Sequence, residues 1–121
     1  MITAVLLLSV ICSSESAFAH AALYCRNSDS SVFSWLSFDG NGKPLVSGYL
    51  RVGENKFPPT IDPNNFPMRH ESVPMTVMFG EYTLSLAIDD KTALITKPKE
   101  PEVLINCCDP RLSPQCVGEE Q

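Results

Sequence analysis

The feature that most constrains this chain is the placing of its cysteines. Three of the five, Cys107, Cys108 and Cys116, crowd into "INCCDPRLSPQC", residues 105–116, and a fourth, Cys25, sits in "ALYCR" near the other end. The fifth, Cys12, closes an eleven-residue apolar run, "ITAVLLLSVIC". That run is followed by polar "SSES" and by "AFAHAA", which offers small-residue cleavage points after Ala19 or Ala21. The pattern is that of a secretory signal peptide, although no Lys or Arg precedes the apolar run. At eleven residues the run falls short of the roughly 20 a membrane-spanning helix needs. Ile11 before Cys12 argues against lipoprotein processing. The expected organisation is therefore a signal peptide over 1–19 and one secreted or periplasmic domain over 20–121.

Cleavage leaves Cys25, Cys107, Cys108 and Cys116, an even number in an oxidising compartment, which is the signature of a disulfide framework. Four cysteines allow three pairings. Cys25–Cys107 with Cys108–Cys116 would tie the terminal strands and close a nine-residue ring; Cys25–Cys108 with Cys107–Cys116 does nearly the same. A Cys107–Cys108 bond is disfavoured, because neighbours rarely meet disulfide geometry. A domain of about 100 residues buries only roughly 60–68% of its unfolded surface. Covalent links that each contribute about 2–4 kcal/mol are then a large share of its stability.

Between the cysteines the period is two. In "EYTLSLAI" Tyr82, Leu84, Leu86 and Ile88 alternate with Glu81, Thr83, Ser85 and Ala87, the pattern of a half-buried strand. "DDKT" then supplies a turn and "TALIT" a further strand. "SVFSWLSF" carries Val32, Leu36 and Phe38 on one face and Phe33 and Trp35 on the other, as a strand covered on both sides would. "DGNGKP" has the chemistry of a tight turn leading into "LVSGYLRV". Shorter strands are expected at "ALYCR", "MTVMF" and "EVLINC". Ten prolines and no sustained 3.6-residue period leave no room for a long helix. The fold class that follows is all-β, a small antiparallel β-sandwich of about seven short strands with a disulfide-stapled C-terminus.

Residues 53–74, "GENKFPPTIDPNNFPMRHESVP", break that economy with five prolines and no alternation. A long proline-rich loop is expected here. It is either a crossover pinned by Phe57, Ile61 and Phe66, or a recognition loop stiffened so that little entropy is lost on binding. Its tip carries Phe66, Met68 and Arg69, side-chain types that interfaces favour.

"FDGNGKPLVSGYLRV" followed by "GEYTLSL" resembles the pattern of prealbumin-like and adhesin-repeat sandwiches. The resemblance covers about 22 residues, and it implies a sandwich that acts as a stalk or a binding module. The ring "CDPRLSPQC" locally resembles the inhibitory ring of Bowman-Birk protease inhibitors, with the same closing P-Q-C. That family's specificity residue is third in the ring, where this chain has Pro110; Arg111 comes one place later. The resemblance implies protease inhibition through Arg111 as an exposed bait.

Charge and inventory exclude other classes. The formal charge is −5 for 121 residues, no basic stripe is visible along the chain, and nucleic acid and anionic membranes need contiguous cations. His70 has only Ser72 and Glu71 as local triad partners, on an extended segment whose neighbours diverge. Asp89 and Asp90 are adjacent, so they fit a turn better than a carboxylate pair. Asp39 and Asn41 lack the remaining ligands of a calcium loop. The cysteines have neither zinc spacing nor a C-x-x-C. A non-enzymatic protein-binding module without cofactor or metal is expected, of inhibitor or immunity type, acting through Phe66, Met68 and Arg69 or through Arg111. A structural or adhesive surface subunit is the alternative.

Overall fold

A computed structural model describes residues 21–39, 43–70 and 72–119. The expected signal peptide, His20, the glycine turn at 40–42 and Glu71 lie outside the described residues.

Eight antiparallel strands follow one another without a helix among the described residues: β1 (Ala21–Arg26), β2 (Val32–Phe38), β3 (Leu45–Val52), β4 (Asn55–Phe57), β5 (Met75–Phe79), β6 (Tyr82–Leu86), β7 (Thr92–Thr96) and β8 (Val103–Cys108). Seven are the strands expected from alternation. The eighth, β4, lies inside the segment expected to be a loop. In place of two facing sheets there is one, in the order β4-β3-β2-β1-β8-β7-β6-β5. Taken around the ring, this is chain order, an up-and-down meander whose first and last strands pair. Period-two alternation looks the same in a sandwich and in a closing sheet, so the sequence could not separate them.

The proline-rich segment supplies the closure. Pro59 bridges Phe79 at the end of β5, where the Thr60 N–H donates to the Met78 carbonyl at 2.8 Å. Further on, Pro44 bridges Met68; the Leu45 N–H donates to the Pro67 carbonyl and the Arg69 N–H to the Lys43 carbonyl. Residues 55–69 thus act as a broken stave that touches β3 twice and β5 once. Prolines accept but cannot donate, so they fit an edge of this kind and not a continuous ladder. Across the seam the rings of Phe57 and Tyr82 lie 5.3 Å apart, with Gly80 beneath Phe57. The role of pin falls to Phe57 and Ile61, both partly buried; Phe66, expected to share it, is 39% exposed.

The interior is filled by side chains from every long strand, among them Leu23, Leu36, Phe38, Leu50, Val77, Phe79, Leu84, Ile95 and Ile105, as in eight-stranded barrels generally. β3 reaches it from both ends because a bulge lets Phe38 pair with Leu45 while Ser37 pairs with Ser47; Val46 is the extra residue, and Leu45 and Leu50 both face in.

The disulfides are Cys25–Cys107 and Cys108–Cys116. Cys25 and Cys107 are directly opposite on β1 and β8, with Cα atoms 3.9 Å apart. The Cys107 N–H donates to the Lys91 carbonyl on the other side, so the cysteines form a non-hydrogen-bonded pair, the closer kind. Cys108 points outward and anchors the tail through Cys116.

Candidate functional site

One end of the sheet gathers the groups that the sequence scattered. The Pro67–His70 strip runs beside the start of β3, and its side chains alternate: Met68 and His70 outward, Pro67 and Arg69 partly buried. The Arg69 guanidinium lies 4.2 Å from the centre of the Phe38 ring and donates to Asp90 at 2.8 Å. Asp90 is presented by the turn between β6 and β7. There the Ala87 N–H bonds the Thr92 carbonyl, Asp89 accepts from the Lys91 N–H, and Asp90 itself takes φ +64°. Asp is among the residues that tolerate this conformation. Burial raises the Asp90 carboxyl above its ordinary value; the Arg69 charge and hydrogen bond oppose this, and the fields of Asp89 and Asp109 reinforce it.

These residues line a groove of about 530 Å³. Buried Met75 and Leu86 form its base, and Met68, Val73 and Ile88, 39%, 49% and 51% exposed, form an apolar rim. Lys43, Arg69, His70, Ser72 and Asp90 supply the polar lining. The arrangement suits a segment that is apolar with a polar anchor. Asp90 is committed to Arg69 by a hydrogen-bonded ion pair.

Of the residues expected to bind a partner, Met68 and Arg69 enter the groove. Phe66 is exposed two residues away and is not part of its lining. Arg111 lies on the Cys108–Cys116 ring, where its guanidinium returns to Asp109 at 2.8 Å. The ring is folded into turns: the Leu112 and Ser113 N–H groups both bond the Asp109 carbonyl, and Cys116 bonds Ser113. Leu112, 81% exposed, is its most prominent side chain. Ring and groove are electrostatically linked, since the Arg69 charge helps to hold the Asp109 carboxyl below its usual range, after the larger effect of the Arg111 hydrogen bond.

Val73, Ile88 and Asp90 were not among the residues expected from sequence to bind a partner. Ile88 was assigned to the inward face of β6, but that strand ends at Leu86, because Ala87 already pairs across the turn; the "DD" that follows was the available signal.

A second arrangement lies on the outer face of β1–β4. Strand register places Arg26, Phe33, Arg51 and Lys56 in one row across four strands, and Cys108, Tyr24, Trp35 and Tyr49 in the next row. Phe33 is only 1% exposed, although it points away from the interior. The Arg26 guanidinium, 4.8 Å from the centre of its ring, and the rings of Tyr24 and Tyr49 pack around it, and the tail beyond Cys116 is moored to Arg26 and Tyr49. Arg26 donates to the carbonyls of Val117 and Gly118, and Glu119 accepts from Tyr49 Oη and Arg51 Nε. Lys56 Nζ stands 3.6 Å from the same carboxylate. Burial and the Glu119 carboxylate push the Tyr49 hydroxyl up to about 12, while the Tyr49 hydrogen bond draws Glu119 down.

Among the described residues no three metal-ligating side chains come together, and no helix is long and apolar enough to cross a membrane. Comparison of the chain with protein-family models, curated proteins and solved structures returns no match.

Proposed function

We propose that this chain is a secreted or periplasmic, non-enzymatic protein-binding domain of inhibitor or immunity type that grips its partner at the groove end of the sheet. The observation that carries the reading is the rim: Met68, Val73 and Ile88 stand exposed around Arg69, itself fixed by Phe38 and Asp90. An apolar rim around a partly buried Arg is a composition that protein interfaces favour. Its backing is stiff, since the strip is bonded to β3 and bracketed by prolines, so little ordering entropy is lost on binding. Phe66 along the strip and Arg111 on the adjacent ring extend the surface. Two disulfides are compatible with an oxidising compartment. The contact of Pro59 and Thr60, just beyond β4, with Phe79 and Met78 on β5 partly covers the seam, which supports this reading over a surface subunit that assembles by adding strands.

The test is capture from native secretions or periplasm, with the mature domain and its Val73→Asp form as parallel baits. The reading expects a protein retained by the first and missing from the second. A partner retained equally by both would place the binding surface elsewhere.

A further inference from the structure

The outer face of β1–β4 carries a separate inference, drawn from residues the groove does not use. Three cations from three different strands, Arg26, Arg51 and Lys56, stand in one row with Phe33 between the two arginines. The sequence hides this cluster, since the three are spread over thirty positions. Beside them Tyr24, Trp35 and Tyr49 form an aromatic row, and the Lys56 ammonium lies 4.4 Å from the centre of the Tyr49 ring.

This surface already holds an occupant that shows its chemistry. Residues 117–119 present two successive backbone carbonyls to Arg26, and a carboxylate to Tyr49, Arg51 and Lys56. The tail does not fill the space. A cavity of about 330 Å³ remains between Arg26, Phe33, Arg51 and Glu119, and reaches Ser30, Gly53 and the carboxylate-bearing Glu54 in the neighbouring turns. The Arg51 guanidinium reaches past the carboxylate along the wall of this cavity, where its two Nη atoms donate to the Gly53 and Ser30 carbonyls.

We infer that the outer face of β1–β4 is a binding slot for an extended acidic segment of a partner protein, and that residues 117–119 occupy it as a tethered competitor. The partner segment would offer backbone carbonyls to Arg26 and a carboxylate to Arg51, Tyr49 and Lys56, and would use the cavity that the tail leaves open. Cys108–Cys116 fixes the competitor three residues from its carboxylate. So short a tether gives an effective concentration on the order of millimolar or above. The slot is therefore closed to weak acidic peptides and opens to a segment that makes more contacts than Glu119 does.

The experiment uses the full chain and two capped peptides, VGEEQ, the sequence of residues 117–121, and VGQQQ. Calorimetric titration of VGEEQ into the Glu119→Gln chain is expected to give at least tenfold tighter binding than into the unaltered chain. VGQQQ should bind the Glu119→Gln chain at least tenfold more weakly than VGEEQ. Adding Arg51→Gln should remove the gain. Equal affinity of VGEEQ for both chains, or of both peptides for the Glu119→Gln chain, would overturn the inference.

Discussion

Cys107 and Cys108 are neighbours that leave one strand in opposite directions, Cys107 inward to Cys25 and Cys108 outward to Cys116. Strand alternation alone splits the pair into two staples with different work. One closes the sheet between β1 and β8, and the other moors the tail on the outer face. In the chain-entropy account the stabilisation grows with the loop enclosed, so the Cys25–Cys107 link, across 82 positions, should outweigh the Cys108–Cys116 link, across 8. Replacing Cys25 and Cys107 by Ser should cost about 4–5 kcal/mol, and replacing Cys108 and Cys116 about 2–3 kcal/mol, in denaturant unfolding.

Gly48 is fixed by contact. An added Cβ would stand 2.3 Å from the Trp35 carbonyl oxygen, so backbone must move to admit it. Gly48→Ala should cost at least about 2 kcal/mol. Gly53 has open space around the same position and only a left-handed φ of +61° to lose. There Ala should cost about 1 kcal/mol. Thermal unfolding of the two variants separates steric conflict from backbone strain.

Arg69 and Asp90 respond unequally to deletion. The Asp90 carboxyl sits above its ordinary 3.8 in spite of Arg69. Its contribution to stability is therefore fullest below 3.8 and declines as pH rises through the folded value. Asp90→Asn should be neutral or mildly stabilising at pH 7, and should flatten stability against pH in the acid range. Arg69→Ala leaves the partly buried carboxylate without its counter-ion, and should cost about 1 kcal/mol at pH 7. Urea unfolding at several pH values distinguishes the two.

Tyr49 marks the moored tail. Its hydroxyl is raised from 10.0 to about 12, first by burial and then by Glu119. The stability it contributes is fully present below pH 10 and is lost as pH rises from about 10 to about 12. Spectrophotometric titration should show one tyrosine ionising near 12. In Glu119→Gln that value should fall toward 10, because two of the groups of causes depart with the carboxylate.

The strands were legible because alternation is local: Leu84, Leu86, Ala93 and Ile95 face inward as their spacing implies. Phe33 and Trp35 announced a strand covered on both faces; on the outer face Phe33 is buried against Arg26 and Tyr24, whereas Trp35 is only partly buried. Closure was not legible, since the Pro59–Phe79 and Pro44–Met68 bridges join positions 20 and 24 apart by hydrogen bonds that leave no periodic trace. For the same reason β4 was hidden in the proline segment. Met68 and Arg69, expected at an interface from residue type alone, line the groove. Asp90 was correctly placed in a turn, but its ion pair with Arg69 is a product of the fold. The row of Arg26, Arg51 and Lys56 exists only once three registers are set.

The most direct test of the proposed function is the dissociation constant of the captured partner for the unaltered domain and for Val73→Asp, each with both disulfides intact and an unchanged β-sheet spectrum. Burying a carboxylate at the centre of an apolar rim should weaken binding at least a hundredfold. An unchanged constant would contradict the assignment of the groove as the binding surface.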